Sequence, residues 1–314
     1  MLSILSKTRM MVLVFVFAGT NLQARPVNGD LNWTMINVNY APQQGDAHLI
    51  QTDMGKNILI DTGHYWVAEN IMIPYLQAKG VKRLDQVFIS HPHKDHYAGL
   101  VAVINKGIKI KEVFFNLPDK GVCDVEIPWG CDYAEILSYH QTLKSSGVKV
   151  SEATAGMVFK IGSDASLEVL YAYDGVNTPV GRTDINDMSL IMKLRNGTQT
   201  ALFTGDLNNK MGEYLAKEGK NLKANILKLP HHGTEGAAPD SFFEVVSPQV
   251  AMVPSPALLW CSERSRRMKT WFGGRKIPAY VNGFAGHVIV KMQKNSFRVI
   301  TQRSKLMPLM TKCP

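Results

Sequence analysis

Three imidazoles and a carboxylate stand within the stretch Ser90-His91-Pro92-His93-Lys94-Asp95-His96, directly after the apolar run Gln86 to Ser90. A compact apolar run of that kind predicts a buried strand. Any fold this chain adopts must therefore bring the end of a core strand to a place where polar side chains can gather. Side chains alternate along a strand, which puts His91 and His93 on one side, while the turn beyond can aim Asp95 and His96 elsewhere. Pro92 cannot donate to a sheet ladder and marks where the strand gives out. The pattern suits two neighbouring divalent metals, with His91 and His93 on the first and Asp95 and His96 on the second.

Two later stretches supply what such a site still lacks. Leu202-Phe203-Thr204-Gly205-Asp206 ends an apolar strand in a carboxylate, which can bridge two cations and neutralise part of their charge. Leu229-Pro230-His231-His232-Gly233 repeats the logic with imidazoles. Alone, Asp206 would read as a turn residue or helix cap, and one of two adjacent histidines as a loop residue. Beside the first motif, metal ligation is the stronger reading. The sequence has no Gly-x-Ser-x-Gly elbow, no Walker loop and no Cys-x-x-Cys pair to offer competing chemistry.

With 314 residues, 45% of them hydrophobic and 19% charged, the chain can bury a large core without a metal or disulfide merely to hold it together. Strands are expected at Trp33 to Asn39, His48 to Thr52, Asn57 to Asp61, Gln86 to Ser90, Glu112 to Phe115, Leu167 to Ala172, Ser189 to Leu194 and Thr200 to Thr204. Others follow at Ile226 to Leu229, Val250 to Val253, Ala279 to Val281, His287 to Lys291 and Phe297 to Ile300. Helical spacing marks Trp66 to Leu76 and stretches near 133–145, 208–218, 239–246 and 264–272. No repeat, low-complexity tract or Pro/Ser-rich linker divides the chain, so one domain is expected. Strands in two groups with helices between them predict two sheets packed face to face, with helices on the outer faces.

Lys7 and Arg9, the apolar stretch Met10 to Ala18 and Leu22-Gln23-Ala24 read as an export signal over 1–24, cleaved before Arg25. The apolar stretch is shorter than the ~20 residues that span a bilayer, which disfavours an uncleaved anchor, and no later segment reaches that length. A domain over 25–303 and a tail over 304–314 would follow, placed in the periplasm or secreted. Cys123, Cys131, Cys261 and Cys313 form an even set, which permits disulfides in an exported chain. Cys123 and Cys131, flanking a short loop, are the favoured pair.

The chemistry-bearing residues resemble those of the metallo-β-lactamase superfamily, whose His-x-His-x-Asp-His signature is matched by His91, His93, Asp95 and His96. Within it the chain is similar to the hydrolase domain of ComEC-type competence DNA-uptake proteins. Supporting stretches are Gln44-Gly45-Asp46, Ile60-Asp61-Thr62-Gly63, Asn186-Asp187-Met188-Ser189-Leu190, Thr204-Gly205-Asp206 and His231-His232-Gly233-Thr234. The resemblance covers about residues 33 to 300. It implies an α+β fold, the αβ/βα four-layer metallo-β-lactamase sandwich with two mixed sheets face to face, and a dinuclear hydrolase centre.

The resemblance also implies roles. His91, His93, Asp95, His96, Asp206 and His232 become the metal ligands, Asp61 a carboxylate holding a ligand imidazole from behind, and Asp95 and His231 the candidate catalytic residues. His231 would contact substrate or protonate the leaving group. Many members carry one more histidine between the first motif and the bridging Asp. Here the only histidine in that interval is His140, which reads as an ordinary helix residue, and Asn186 or Asp187 would stand near the first metal instead. A weaker first site follows, with zinc the expected metal in both positions and manganese the alternative. His48, His64 and His287 have no partners in sequence and read as structural or surface residues, although His64 is close enough to Asp61 to line the cleft.

Lys plus Arg exceed Asp plus Glu by 35 to 26, a formal charge of +9 that favours anionic partners. Between Ser262 and Lys276, Arg264, Arg266 and Arg267 stand with Trp271 and Phe272 against one acid, Glu263. Cations can hold phosphates while an aromatic stacks on a base; the competing reading is an exposed basic helix whose aromatics point inward. The expected function is an exported metal-dependent phosphodiesterase or nuclease with nucleic acid or another phosphodiester as its partner, and no protein partner. The alternatives are a small-substrate metallohydrolase acting on a phosphorylcholine ester, lactone or β-lactam, and a non-catalytic nucleic-acid-binding protein.

Overall fold

Along Leu31–Met35 the apolar residues Leu31, Trp33 and Met35 alternate with Asn32 and Thr34, and this alternation sets the layers. In the computed structural model, which describes residues 26, 29–40, 42–126, 130–173, 178–181, 184–219, 221–303 and 313, the apolar side meets a second sheet. The Trp33 ring lies 4.6 Å from Phe203 across that interface, in a buried cluster with Ile58, Phe88, Met192 and Val290. The other side is covered by a helix, whose Tyr75 hydroxyl donates to Thr34 Oγ1 at 3.2 Å.

Among the described residues the first sheet has eight strands in the spatial order Phe297–Thr301, Val288–Met292, Leu31–Met35, His48–Thr52, Asn57–Ile60, Gln86–Phe88, Glu112–Phe114 and Lys149–Ser151. The second has seven, ordered Ala279–Val281, Val250–Val253, Ile226–Lys228, Gln199–Phe203, Ile191–Asn196, Ala165–Tyr171 and Val158–Lys160. Each is antiparallel at one end and parallel at the other. A second apolar cluster, containing Leu76, Leu100, Val103, Leu143, Met211, Phe243 and Phe272 from the helices, fills the space between the sheets and their outer layers. The architecture is the expected αβ/βα four-layer sandwich. Among the described residues no helix is long and apolar enough to cross a membrane. The export signal over 1–24 lies outside the described residues, as does the tail apart from Cys313.

Helices stand at Tyr133–Ser145, Asn209–Lys217, Asp240–Val246 and Arg266–Gly274. The helix expected over Trp66 to Leu76 forms with a wide π-turn at Ala68–Met72, just before Pro74 in Ile73–Ala78. Pro74 lacks the N–H that a regular turn would use, and the backbone widens where that bond is lost. Strands end earlier than expected wherever the site takes their polar groups. Gln86–Phe88 stops short of Ser90 because Ser90 N donates to Asp61 Oδ1 at 2.7 Å. Ile191–Asn196 starts late because Leu190 N donates to Ser90 O at 2.8 Å and Ser189 Oγ accepts from Asp206 N at 2.8 Å. Two disulfides are present: the expected Cys123–Cys131, and Cys261–Cys313, which ties residue 313 back to the helix Ala257–Cys261.

Candidate metal centre

The motifs meet where Asn57–Ile60 and Gln86–Phe88, parallel to each other, and Gln199–Phe203 and Ile226–Lys228, also parallel, come to their C-terminal ends. Asp61 adopts a positive φ of 58°, unusual for a residue with a side chain, and this turns its carboxylate onto the first motif. Oδ2 accepts from Ser90 Oγ at 2.8 Å and lies 2.9 Å from His96 Nδ1. With Nδ1 engaged, His96 presents Nε2, 3.4 Å from Asp206 Oδ2 and 3.9 Å from Asp95 Oδ2.

His232 is aimed in the same way. Its Nδ1 lies 2.9 Å from Pro254 O, and its Nε2 is 3.2 Å from Asp95 Oδ2 and 3.1 Å from Asp206 Oδ2. One ligand atom from each of Asp95, His96, Asp206 and His232 lies within 4.8 Å of the others, and all four residues are buried. Among the described residues, neither Nε2 has a hydrogen-bond partner. Buried polar atoms are rarely left in that condition, and two imidazole nitrogens converging with two carboxylates are a donor set for a divalent cation.

The electrostatics agree. Burial opposes charge on His96, yet Asp206, Asp95 and Asp61 hold its pKa well above the usual imidazole value. Burial is likewise overcome at His232, where Asp206 and Asp95 carry the pKa to about 10. The carboxylates demand positive charge, and a metal ion meets that demand by displacing the protons. His91 and His93 flank the cluster with Nε2 of the first 3.2 Å from Nδ1 of the second, and burial lowers both pKa values, leaving neutral rings able to ligate.

His231 and His232 both sit at positive φ, 48° and 51°, so consecutive side chains diverge. His232 enters the cluster, whereas His231 turns toward Gly236, where its Nδ1 is buried without a partner among the described residues. Beside it opens a cavity of about 230 Å³ lined by Asp184, Asp187, Asn208, Asn209, Lys210 and Gly236. Asp187 does not join the four-ligand group. Its Oδ1 accepts from Asn208 N at 2.9 Å and braces the loop after Asp206. Asn186, in the same turn, keeps Oδ1 buried without a hydrogen bond among the described residues.

Lys228 was not singled out in the sequence, and Asp46 stood there in a supporting stretch without a role. Asp46, fully buried, lies 3.8 Å from His96 Nδ1 and pairs with the ammonium of Lys228, itself buried at the end of its strand. Lys228 Nζ also donates to Gly205 O at 2.7 Å and stands 3.5 Å from Asp206 Oδ1. The signal was a lysine inside the apolar run Ile226-Leu227-Lys228-Leu229, where a charge needs a partner. Gly205 has to be glycine for a related reason: at φ +46°, a Cβ there would stand 2.4 Å from Ser189 Oγ.

In the basic segment the structure gives the reading in which the aromatics point inward. Trp271 and Phe272 are buried against Phe243 and cannot stack on a base. Acids meet all three arginines, two of them from distant parts of the sequence. Arg264 pairs with Glu235 at 2.7 Å, Arg266 with Glu263 at 2.9 Å, and Arg267 with Asp240 at 2.6 Å while also donating to the carbonyls of Ala237 and Ala238. His140 is packed on Phe115 in its helix, as expected. His64 stands close enough to the centre to feel Asp95, and His48 and His287 are held by Trp33 Nε1 and by Asn37 N.

The family model described as "Metallo-beta-lactamase superfamily" matches residues 40–113, the segment that carries Asp61 and the first motif. Over that segment the chain is similar to the metallo-β-lactamase superfamily. It is 26% identical over 226 residues to ComE operon protein 3 of Bacillus subtilis (strain 168), covering 67% of the chain and 27% of the relative. It is 29% identical over 219 residues to Competence protein ComA of Neisseria gonorrhoeae, covering 68% and 26%. The chain thus spans about a quarter of the length of these relatives. A solved variant of CmlA beta-hydroxylase shares the fold, with a TM-score of 0.50 at 13% identity over 85% of this chain and 55% of that one.

Proposed function

We propose that the chain is an exported metal-dependent phosphodiesterase that cleaves nucleic acid in the periplasm or outside the cell. The observation that carries this reading is the convergence of Asp95, His96, Asp206 and His232, buried and with both imidazole Nε2 atoms facing the carboxylates, at the ends of core strands. The similarity to proteins named for competence supports nucleic acid as the substrate class. In this reading Asp95, His96, Asp206 and His232 would hold one divalent ion, and His91 and His93 would contribute to a second. Divalent ions held there would supply Lewis acidity for phosphodiester hydrolysis.

The chain's own residues do the rest. Asp61 fixes His96 through Nδ1, so that Nε2 faces inward. His231, kept neutral by burial, offers Nδ1 beside the cavity and contacts substrate or the leaving oxygen. Zinc suits the imidazoles, and a carboxylate-rich set also suits manganese. The cavity of about 230 Å³ beside His231 favours a second reading, hydrolysis of a small phosphodiester. Metal analysis of purified protein, with rates on single-stranded DNA, bis-p-nitrophenyl phosphate and nitrocefin, tests both. Up to two metal equivalents and cleavage of DNA are expected, with both lost in Asp206→Ala. Full activity in a metal-free preparation would overturn the proposal.

A further inference from the structure

His93 is 6% exposed, and its Nε2 has no hydrogen-bond partner among the described residues. The group that faces it comes from an unexpected place. Glu126 Oε2 lies 3.9 Å from His93 Nε2, a carboxylate delivered by the loop that the Cys123–Cys131 disulfide closes. That distance exceeds a hydrogen bond. It falls in the range of about 3–4 Å expected between two donors that each lie ~2.0–2.2 Å from one ion.

The placement of Glu126 is built. Its N–H donates to Cys123 O at 2.9 Å and its carbonyl accepts from Cys131 N at 3.3 Å, so both cysteines of the bridge hold its backbone. The same loop is fastened to the first motif, because Lys94 N donates to Gly130 O at 3.2 Å. The side chain is 16% exposed, turned in from solvent, and Asp184 acts electrostatically on both Glu126 and His93. A buried imidazole nitrogen without a hydrogen bond among the described residues thus looks onto a bracketed carboxylate.

We infer that Glu126 is a ligand of the first metal, completing with His91 and His93 a site that the linear motif leaves short of a donor. The inference rests on the two-metal reading above. A carboxylate in that place makes the first site harder than an all-imidazole one and links its integrity to an oxidised Cys123–Cys131 loop.

The test is an equilibrium titration of metal-free protein with Zn²⁺ and separately with Mn²⁺ against a chelating indicator, backed by absorption spectra of the Co²⁺-loaded forms. The parent is expected to bind two equivalents. E126Q should keep one tight equivalent, with the other weakened at least tenfold and the Co²⁺ spectrum reduced to that of one site. E126D, which keeps the charge on a shorter arm, should fall between them. E135Q, which breaks only the exposed Lys94–Glu135 pair, should match the parent. Two equivalents of parental affinity in both E126Q and E126D would overturn the role of Glu126 alone. A parent that binds a single equivalent would overturn the two-metal reading, and Glu126's role with it.

Discussion

Asp61 Oδ2 lies 2.9 Å from His96 Nδ1 behind the cluster, and through that contact a residue from one strand end sets which nitrogen another presents to the metal position. Asp61 accepts from Ser90 N and Ser90 Oγ as well, so its carboxylate is fixed on three sides and the imidazole has one tautomer to adopt.

Asp61→Asn should therefore weaken metal binding about 10–100-fold while leaving the ligand set intact. The amide can offer His96 Nδ1 an N–H or its oxygen, but not the charge that raises ligand basicity. Isothermal titration with zinc reads the effect directly. Unchanged affinity would mean that the contact only packs the loop.

Lys228 carries a different weight, because it is a buried cation between Asp46 and Asp206. Removing one partner of a buried pair typically costs about 3–5 kcal/mol, since the other charge is left unsolvated. Lys228→Met should show a loss of that size in urea denaturation of metal-free protein, and Asp46→Asn in the same chain should recover part of it. Equal stability of Lys228→Met and parent would show that water reaches Asp46.

How far the sequence was legible follows from these residues. Strand ends carrying His91, Asp206 and His232 announce themselves, because packing alone seldom gathers polar side chains directly after an apolar run. Asp46, Lys228 and Glu126 do not, since each acquires its meaning from a partner elsewhere in the chain: 182 residues separate Asp46 from Lys228, and Glu126 faces His93 from a loop closed by a disulfide. The partners of the arginines were hidden for the same reason. Counting acids within their own segment could not reveal Glu235 and Asp240, which the fold brings against them.

His140 gives a pH-dependent stability whose sign is fixed. Burial, aided by Lys144, lowers its pKa from 6.5 to about 4, so the ring is neutral in the fold and protonated in the unfolded chain between those values. Stability is fully present above about pH 6.5 and is lost as pH falls toward 4. Thermal unfolding of His140→Leu should vary less than the parent over that window. Parallel curves would assign the acid sensitivity elsewhere.

The last prediction separates a polymer substrate from a small one, and the structure changes which arginines should be tested. Arg267 donates to two backbone carbonyls as well as to Asp240, so replacing it would disturb the loop at Ala237 and Ala238 and confound the result. Arg264 and Arg266 hold only exposed acids, in pairs too weak to stop a phosphate from exchanging in. Arg264→Ala with Arg266→Ala should leave metal content and the rate on bis-p-nitrophenyl phosphate near parental values. DNA binding should weaken, and the slope of log affinity against log salt should fall by up to about 1.4–1.8, since each lost contact contributes roughly 0.7–0.9. If the slope and DNA cleavage are unaltered, this helix is a solvated face and the small-phosphodiester reading gains; if both substrates are lost equally, the pair is holding the fold.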